Sequence, residues 1–142
     1  MARRRPANTH GLAVVDKPAG VTSHDVVGML RRRFGERQVG HAGTLDPDAT
    51  GVLLVGVGRS TRLLRFLTDL GKTYTGEVVF GASTDTLDAA GKVTATFDMS
   101  GLTLPQVQAA VSEHLTGHIM QVPPMVSAVK IDGLRLHELA RQ

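Results

Sequence analysis

One stretch gathers most of the groups in the chain that could do chemistry: Gly40-His41-Ala42-Gly43-Thr44-Leu45-Asp46-Pro47-Asp48-Ala49-Thr50-Gly51. An imidazole, two carboxylates and two hydroxyls fall within eleven positions, between two apolar runs. Carboxylates and imidazoles serve as nucleophiles and as general bases. Three glycines and a proline exclude a helix interior and a central strand. The glycines allow positive φ or a close approach of the backbone to a ligand. Pro47 fixes its own φ and pushes Asp46 into an extended conformation. Asp46 is therefore expected on stiffened backbone, which suits a group that must hold its position. The same spacing fits an Asx-type turn in which Asp46 bonds local amides. Composition and spacing leave both readings open.

The elements that must position this loop come from a chain of 142 residues, room for one domain with a genuine core. It has no cysteine, which excludes a disulfide framework and thiolate chemistry. No apolar run approaches membrane-spanning length, and Arg3-Arg4-Arg5 is not followed by the apolar segment of a signal peptide. A cytoplasmic protein, without a membrane partner, is the expectation. The net charge of +3 is unevenly spread. Residues 1–72 carry 12 Lys/Arg against 6 Asp/Glu, a net of +6, and residues 73–142 carry 4 against 7, a net of −3. A basic half that contains the reactive loop fits a polyanionic partner, most simply nucleic acid, or an ordinary solvated face.

In chain order, residues 1–11 read as a disordered basic terminus. Leu12 to Val15 reads as a short strand, stopped by Asp16-Lys17-Pro18-Ala19-Gly20. Lys17, at the strand end, suits either a phosphate or the polar edge of the strand. A helix follows, with Ser23 as N-cap, Asp25 in the first turn, and Val27, Leu30 and Phe34 as its apolar face. Arg31, Arg32 and Arg33 load its last turn and Gly35 ends it. Val52 to Val57 is the strongest buried-strand signal. Ser60 then caps a second helix whose stripe of Leu63, Leu64, Phe66, Leu67 and Leu70 reads as core.

Lys72 to Phe80 has the β-branched and aromatic content of a strand. It carries Tyr74, the only tyrosine, able to stack on a base or to be an ordinary strand residue. Residues 81–91 read as a polar loop. Its Asp85 and Asp88 lack the ligand alternation of a calcium loop. Val93 to Phe97 reads as an edge strand. Thr103, Pro105 and Gln106 open a third helix, with Val107, Ala110, Val111 and Leu115 as its buried face and Gly117 closing it. His114 and His118 have zinc-like spacing, but Gly117 intervenes and a third ligand is missing. Pro123-Pro124 precedes a strand over 125–131, a turn at Asp132-Gly133, and the start of a helix from Leu134. That helix stops at Gln142 without a C-cap, so the chain reads as cut off inside a structural unit. The predicted class is α+β: a mixed, largely antiparallel sheet with packed helices and Asp46 in a cleft across its face.

Several motifs together carry a family resemblance. Val15-Asp16-Lys17-Pro18-Ala19-Gly20-Val21-Thr22-Ser23, the run from Gly40 to Pro47 with Ala49-Thr50-Gly51, and Lys72-Thr73-Tyr74 resemble the TruB-type pseudouridine synthases that act on uridine 55 of tRNA. Val122 to Lys130 and Ala140-Arg141-Gln142 fit the same family. The resemblance implies isomerisation of a T-arm uridine in tRNA, with tRNA as partner and neither cofactor nor metal. A monomer is the accompanying expectation. It implies that Asp46 is the nucleophile or base, and that Tyr74 stacks on the flipped uracil. It also implies that His41 helps hold the flipped nucleotide and that Lys17 is a structural or backbone-contact position. Residues 12–142 would be the N-terminal part of the catalytic domain, and about 123–142 the start of an RNA-gripping insertion. Family members continue further and carry a later arginine that pairs with the aspartate. The expectation is therefore an N-terminal fragment, poorly active and poorly folded by itself.

Two readings from other classes stand beside this one. One is a noncatalytic tRNA-binding or tRNA-folding module. The other is a metal-dependent phosphodiesterase using His41, Asp46 and Asp48, against which Pro47 and the absence of further ligands argue.

Overall fold

The computed structural model describes residues 8–122, 130–131 and 134–135, in two compact units, Met1–Tyr74 and Thr75–Gln142. Its class is α+β, helices with small sheets, and every strand pair among the described residues is antiparallel.

The first unit is built on three strands, β1 (Gly11–Lys17), β2 (Val39–Ala42) and β3 (Gly51–Val57), in the order β1-β3-β2. The strongest strand signal thus occupies the centre. Gly11 and Val39 both lie opposite Val57, whereas Lys17 lies opposite Gly51. One end of the sheet therefore receives the loop between β2 and β3, and the other receives the end of helix α1 (Ser23–Phe34). Leu53, Val55 and Val57 alternate onto one face of β3, as a strand requires, and meet Val26 and Val27 of α1 and Val39 of β2. Leu53 and Val55 are at most 1 % exposed. Each such side chain contributes about 1.5–3 kcal/mol on burial. Val26, not singled out by the spacing, is core, whereas Phe34 is exposed.

The opening stretch is not wholly a loop. Gly40, His41 and Ala42 belong to β2, an edge strand, where their glycine is tolerated. The N-terminal segment is also partly ordered. Asn8 N–H donates to Glu36 at 3.1 Å, and Arg59 N–H donates to His10 Nδ1 at 3.1 Å. Residues 1–7 lie outside the described residues.

Glu36 also accepts the N–H of Gln38, and these backbone donors, Gln38 foremost, hold its carboxyl below its usual 4.5. A depressed folded-state value means that the ionised form is favoured by folding. Its contribution is present above pH 4.5 and is lost as pH falls through the lower folded value. Glu36→Gln is expected to flatten the acid limb of the curve of melting temperature against pH below about 4.5. An unchanged acid limb would show that Glu36 does not tie down the N-terminal segment.

The second helix departs from expectation. A 3₁₀ helix, Gly58–Leu63, precedes a single α-turn, α2 (Leu64–Leu67), and Ser60 is not its cap. A 3₁₀ turn closes in three residues, so a stripe drawn at 3.6 residues per turn splits over two sides. Leu64 and Leu67 are half-buried, whereas Leu63, Phe66 and Leu70 are exposed. Two glycines let this turn fold back on the sheet. A Cβ on Gly56 would lie 3.0 Å from backbone atoms of Ser60 and Thr61. Gly58 has φ +59° and sits against Thr9 and His10. Gly56→Ala is expected to cost about 1–3 kcal/mol through this overpacking, read as a lower urea midpoint.

In the second unit, β4 (Ala82–Thr84) pairs with β5 (Val93–Thr96), so part of the predicted polar loop is strand. Helix α3 (Leu104–His114) has the predicted cap at Thr103, whose N–H and hydroxyl donate to Gln106 at 2.8 and 2.7 Å. Its apolar face is another correction: Ala110, Val111 and Leu115 are exposed. Spacing says which side of a helix is apolar, not what covers it. Lys72 to Phe80 is likewise exposed and pairs with no strand among the described residues. β-Branched content favours a strand only where neighbours receive its backbone and side chains. β6 (Lys130–Ile131) and β7 (Leu134–Arg135) pair across the predicted turn, so Leu134 and Arg135 are strand, not helix. The remaining expectations after Val122 fall outside the described residues. No helix among the described residues is long and apolar enough to cross a membrane.

Candidate active site

Residues 43–50 join β2 to β3 at the Lys17 end of the sheet. Within its unit this loop sits at the sheet's end, and Asp46 is exposed. Gly43 has φ +85° and Gly51 φ +116°, so both ends of the loop turn through conformations that glycine tolerates.

Three separate elements pin the backbone around Asp46. The first is the start of α1. Thr22, not Ser23, is the N-cap: its hydroxyl accepts the Asp25 N–H at 3.0 Å. The Asp25 carboxylate in turn accepts from the Thr22 hydroxyl and N–H, which holds its carboxyl below the usual range. Ser23, thereby released from capping, is 2 % exposed and turns to the loop. Its Oγ donates to Leu45 O at 3.2 Å and accepts Leu45 N–H at 2.9 Å. The Leu45 side chain packs against the core. The second element is the end of β1. The Lys17 ammonium is fully buried and donates to Pro18 O, Val21 O and Pro47 O at 3.0, 2.7 and 2.9 Å. An ammonium has three N–H donors, and all three are committed to carbonyls. None remains for a phosphate. Of the two uses open to Lys17, the geometry realises the structural one. Third, Gly20 N–H also donates to Pro47 O at 2.9 Å.

Both peptide neighbours of Asp46 are thus fastened by buried groups. Its own carbonyl accepts the Ala49 N–H at 3.1 Å, closing a turn through the backbone. The carboxylate does not close that turn: among the described residues it makes no hydrogen bond or ion pair. This overturns the Asx-type alternative. A carboxylate that accepts several local N–H bonds is stabilised as an anion and is a poorer base and nucleophile. No N–H of this kind reaches the Asp46 carboxylate among the described residues. Asp48 is also exposed and makes no hydrogen bond or ion pair among the described residues, though its own backbone groups make none of these bonds.

His41 is half-buried on β2 and its Nδ1 bonds the Gly43 carbonyl. A carbonyl can only accept, so Nδ1 carries the hydrogen and Nε2 is left for another partner. Tyr74 is 68 % exposed. Its segment approaches the loop at Lys72, whose Cε lies 3.6 Å from where a Cβ on Gly43 would be. Tyr74 makes no hydrogen bond to His41 or Asp46 among the described residues. Lys17, His41 and Asp46 therefore converge on one loop, and Tyr74 follows two residues after Lys72, where its segment comes nearest that loop. Ser23 and Gly20 were missed as loop supports. Thr22-Ser23-His24-Asp25 contained the signal, because an acid three residues after Thr22 marks Thr22 as the cap.

Among the described residues no group of three or more His, Asp and Glu is placed to hold a metal, so neither His41, Asp46 and Asp48 nor the pair His114 and His118 forms such a site.

The geometry can be set beside known proteins. Residues 31–142 match the family model described as TruB family pseudouridylate synthase (N terminal domain). The chain is 55 % identical over 136 residues to tRNA pseudouridine synthase B of Corynebacterium glutamicum (strain R), covering 96 % of this chain and 46 % of that protein. It is 53 % identical over 137 residues to the protein of the same name from Mycobacteroides abscessus, with the same coverage. With that of Rhodococcus jostii it shares 52 % over 143 residues, 99 % of this chain and 47 % of the relative. The chain spans about half the length of the curated relatives it matches. A chain in the solved structure of an H/ACA RNP bound to a substrate RNA containing 2′-deoxyuridine is 42 % identical, over 40 % of this chain and 18 % of that one, with a TM-score of 0.39. On the family match and these identities, the chain belongs to the TruB family of pseudouridylate synthases.

Proposed function

We propose that this chain supplies the reacting carboxylate of a synthase that converts a T-arm uridine of tRNA, position 55, to pseudouridine. The observation that carries the reading is Asp46: a carboxylate unbonded among the described residues, on backbone fastened by Ser23, Lys17 and Gly20. Family membership and the names of the relatives support the substrate class. In the isomerisation the N1–C1′ bond breaks and a C5–C1′ bond forms. C5 gives up its hydrogen and N1 takes one, so composition is unchanged and no co-reactant is consumed. Asp46 acts as nucleophile or base at the flipped-out nucleotide, splitting a hard step into easier ones. His41 offers Nε2 toward that nucleotide, and Tyr74, with its exposed ring, stacks on the uracil. Lys17 acts through the loop as a positioning residue. The choice of Asp46 over Asp48 draws on both the firmer backbone anchoring and the motif. A cytoplasmic, monomeric enzyme completes the reading.

The test is an unmodified tRNA T-arm stem-loop incubated with two proteins. One is the chain itself. The other is a chimera in which the C-terminal part of the Corynebacterium glutamicum relative continues it. Pseudouridine at one loop position, located by chemical labelling and mass spectrometry, is the expected product of the chimera. Binding without isomerisation by the chimera would favour the RNA-folding module. Metal-dependent strand cleavage would favour the phosphodiesterase.

A further inference from the structure

The end of the sheet opposite Asp46 is crowded with arginines from two separate segments. Arg31, Arg32 and Arg33 lie in the last turn of α1, and Arg37 follows its Gly35 cap. Arg59 and Arg62 lie in the 3₁₀ helix that leaves β3. Residues three apart in a 3₁₀ helix eclipse, so Arg59 and Arg62 share a side. The two segments are fastened together at this end: Gly58 N–H donates to Gln38 O at 2.6 Å, and Gln38 Nε2 donates to Thr61 Oγ1 at 2.9 Å.

All six arginines are exposed. Arg31 donates to Val39 O at 3.1 Å. None of the six has a carboxylate within ion-pair distance among the described residues. The one carboxylate in these two segments, Glu36, is taken by the N–H groups of Asn8 and Gln38. The dipole of α1 accounts for arginines in its own last turn. It does not account for Arg37, Arg59 and Arg62, which other segments bring to the same pole. Like charges gathered without counter-charges repel, and such a cluster suits an external polyanion.

We propose that this arginine pole is a second RNA contact, binding phosphodiester oxygens of the RNA whose target uridine lies at Asp46. The inference rests on the functional reading above and deepens it. The pole and the Asp46 loop sit at opposite ends of β3, whose length separates them by roughly 20 Å at 3.3 Å per residue. The pole therefore touches backbone remote from the reacting base. Guanidinium groups suit this role because they bond two phosphate oxygens at once.

The experiment measures binding of the fluorescent T-arm stem-loop to the chain across a series of salt concentrations. The triple variant Arg37→Gln, Arg59→Gln, Arg62→Gln is expected to lower the slope of log affinity against log salt by about 2, at roughly 0.7–0.9 per lost phosphate contact. The triple Arg→Lys variant keeps the charge and most of the slope, which separates phosphate contact from misfolding. Asp46→Asn leaves the slope unchanged. A triple glutamine variant with the parent slope, or a chain that does not bind this RNA, overturns the pole. Arginine-dependent binding of a poly-glutamate peptide without RNA binding would assign it to an acidic protein instead. Binding is read apart from turnover. A chimera that isomerises uridine with an unaltered slope loses only the pole, and one with a reduced slope but no turnover loses only the catalytic reading.

Discussion

Lys17→Met is expected to destabilise the first unit by about 2–4 kcal/mol, lowering the melting temperature by roughly 10–30 °C. Methionine fills much of the same volume but donates nothing. Three bonds from one ammonium to Pro18, Val21 and Pro47 are lost together. Hydrogen bonds to a charged group contribute about 1.5–3 kcal/mol each. Part of that loss is recovered, because the buried ammonium no longer has to be desolvated. The Pro47 carbonyl keeps its bond from Gly20, so the damage concentrates on Pro18 and Val21, which shape the turn into α1. Thermal unfolding followed by circular dichroism checks this. A melting temperature within about 2 °C of the parent would mean that the three bonds stabilise the fold no more than water would.

Asp46→Asn is expected to reduce isomerisation by the chimera by about four orders of magnitude or more, the scale seen when a nucleophile is removed. Asparagine keeps the shape and leaves the Ser23, Lys17 and Gly20 bonds intact, because those reach the backbone of Leu45 and Pro47. What disappears is an anionic oxygen able to attack or to take a proton. RNA binding and stability are expected to be unchanged. Asp48→Asn is expected to cost less than about tenfold, as an exposed charge near but not at the reacting atoms. Because Asp48, like Asp46, makes no bond among the described residues, the contrast between the two aspartates carries the assignment.

Much of the frame behind these predictions was legible in the residues. Glycine, proline and cap chemistry act locally, so α1, α3 and the turn through Asp46 could be placed from their own sequences. β3 could be placed because a continuous apolar run needs two covered faces or a central position. Features that depend on a partner were not legible. Lys72 to Phe80 has strand composition, but no strand among the described residues takes its backbone. The leucines after Ser60 have helical spacing, but Gly56 and Gly58 fold the chain into a tighter turn. At the site, the residue types of Asp46 and His41 marked them as reactive. Spacing could not tell whether the Asp46 carboxylate or its backbone closes the turn. Nor could it show that Lys17 spends all three donors on carbonyls. Ser23 was hidden by its own versatility, since serine beside threonine at a helix start can cap or can reach elsewhere.

The central claim is that Asp46 is the reacting group and that its anchored loop serves to hold it. It is tested most directly by the single-turnover rate of pseudouridine formation in the chimera, with Asp46→Asn and Asp48→Asn compared on the same T-arm stem-loop. The account predicts product from the parent and from Asp48→Asn, and none above background from Asp46→Asn at equal RNA binding. Equal loss in both variants, or turnover retained by Asp46→Asn, would contradict it.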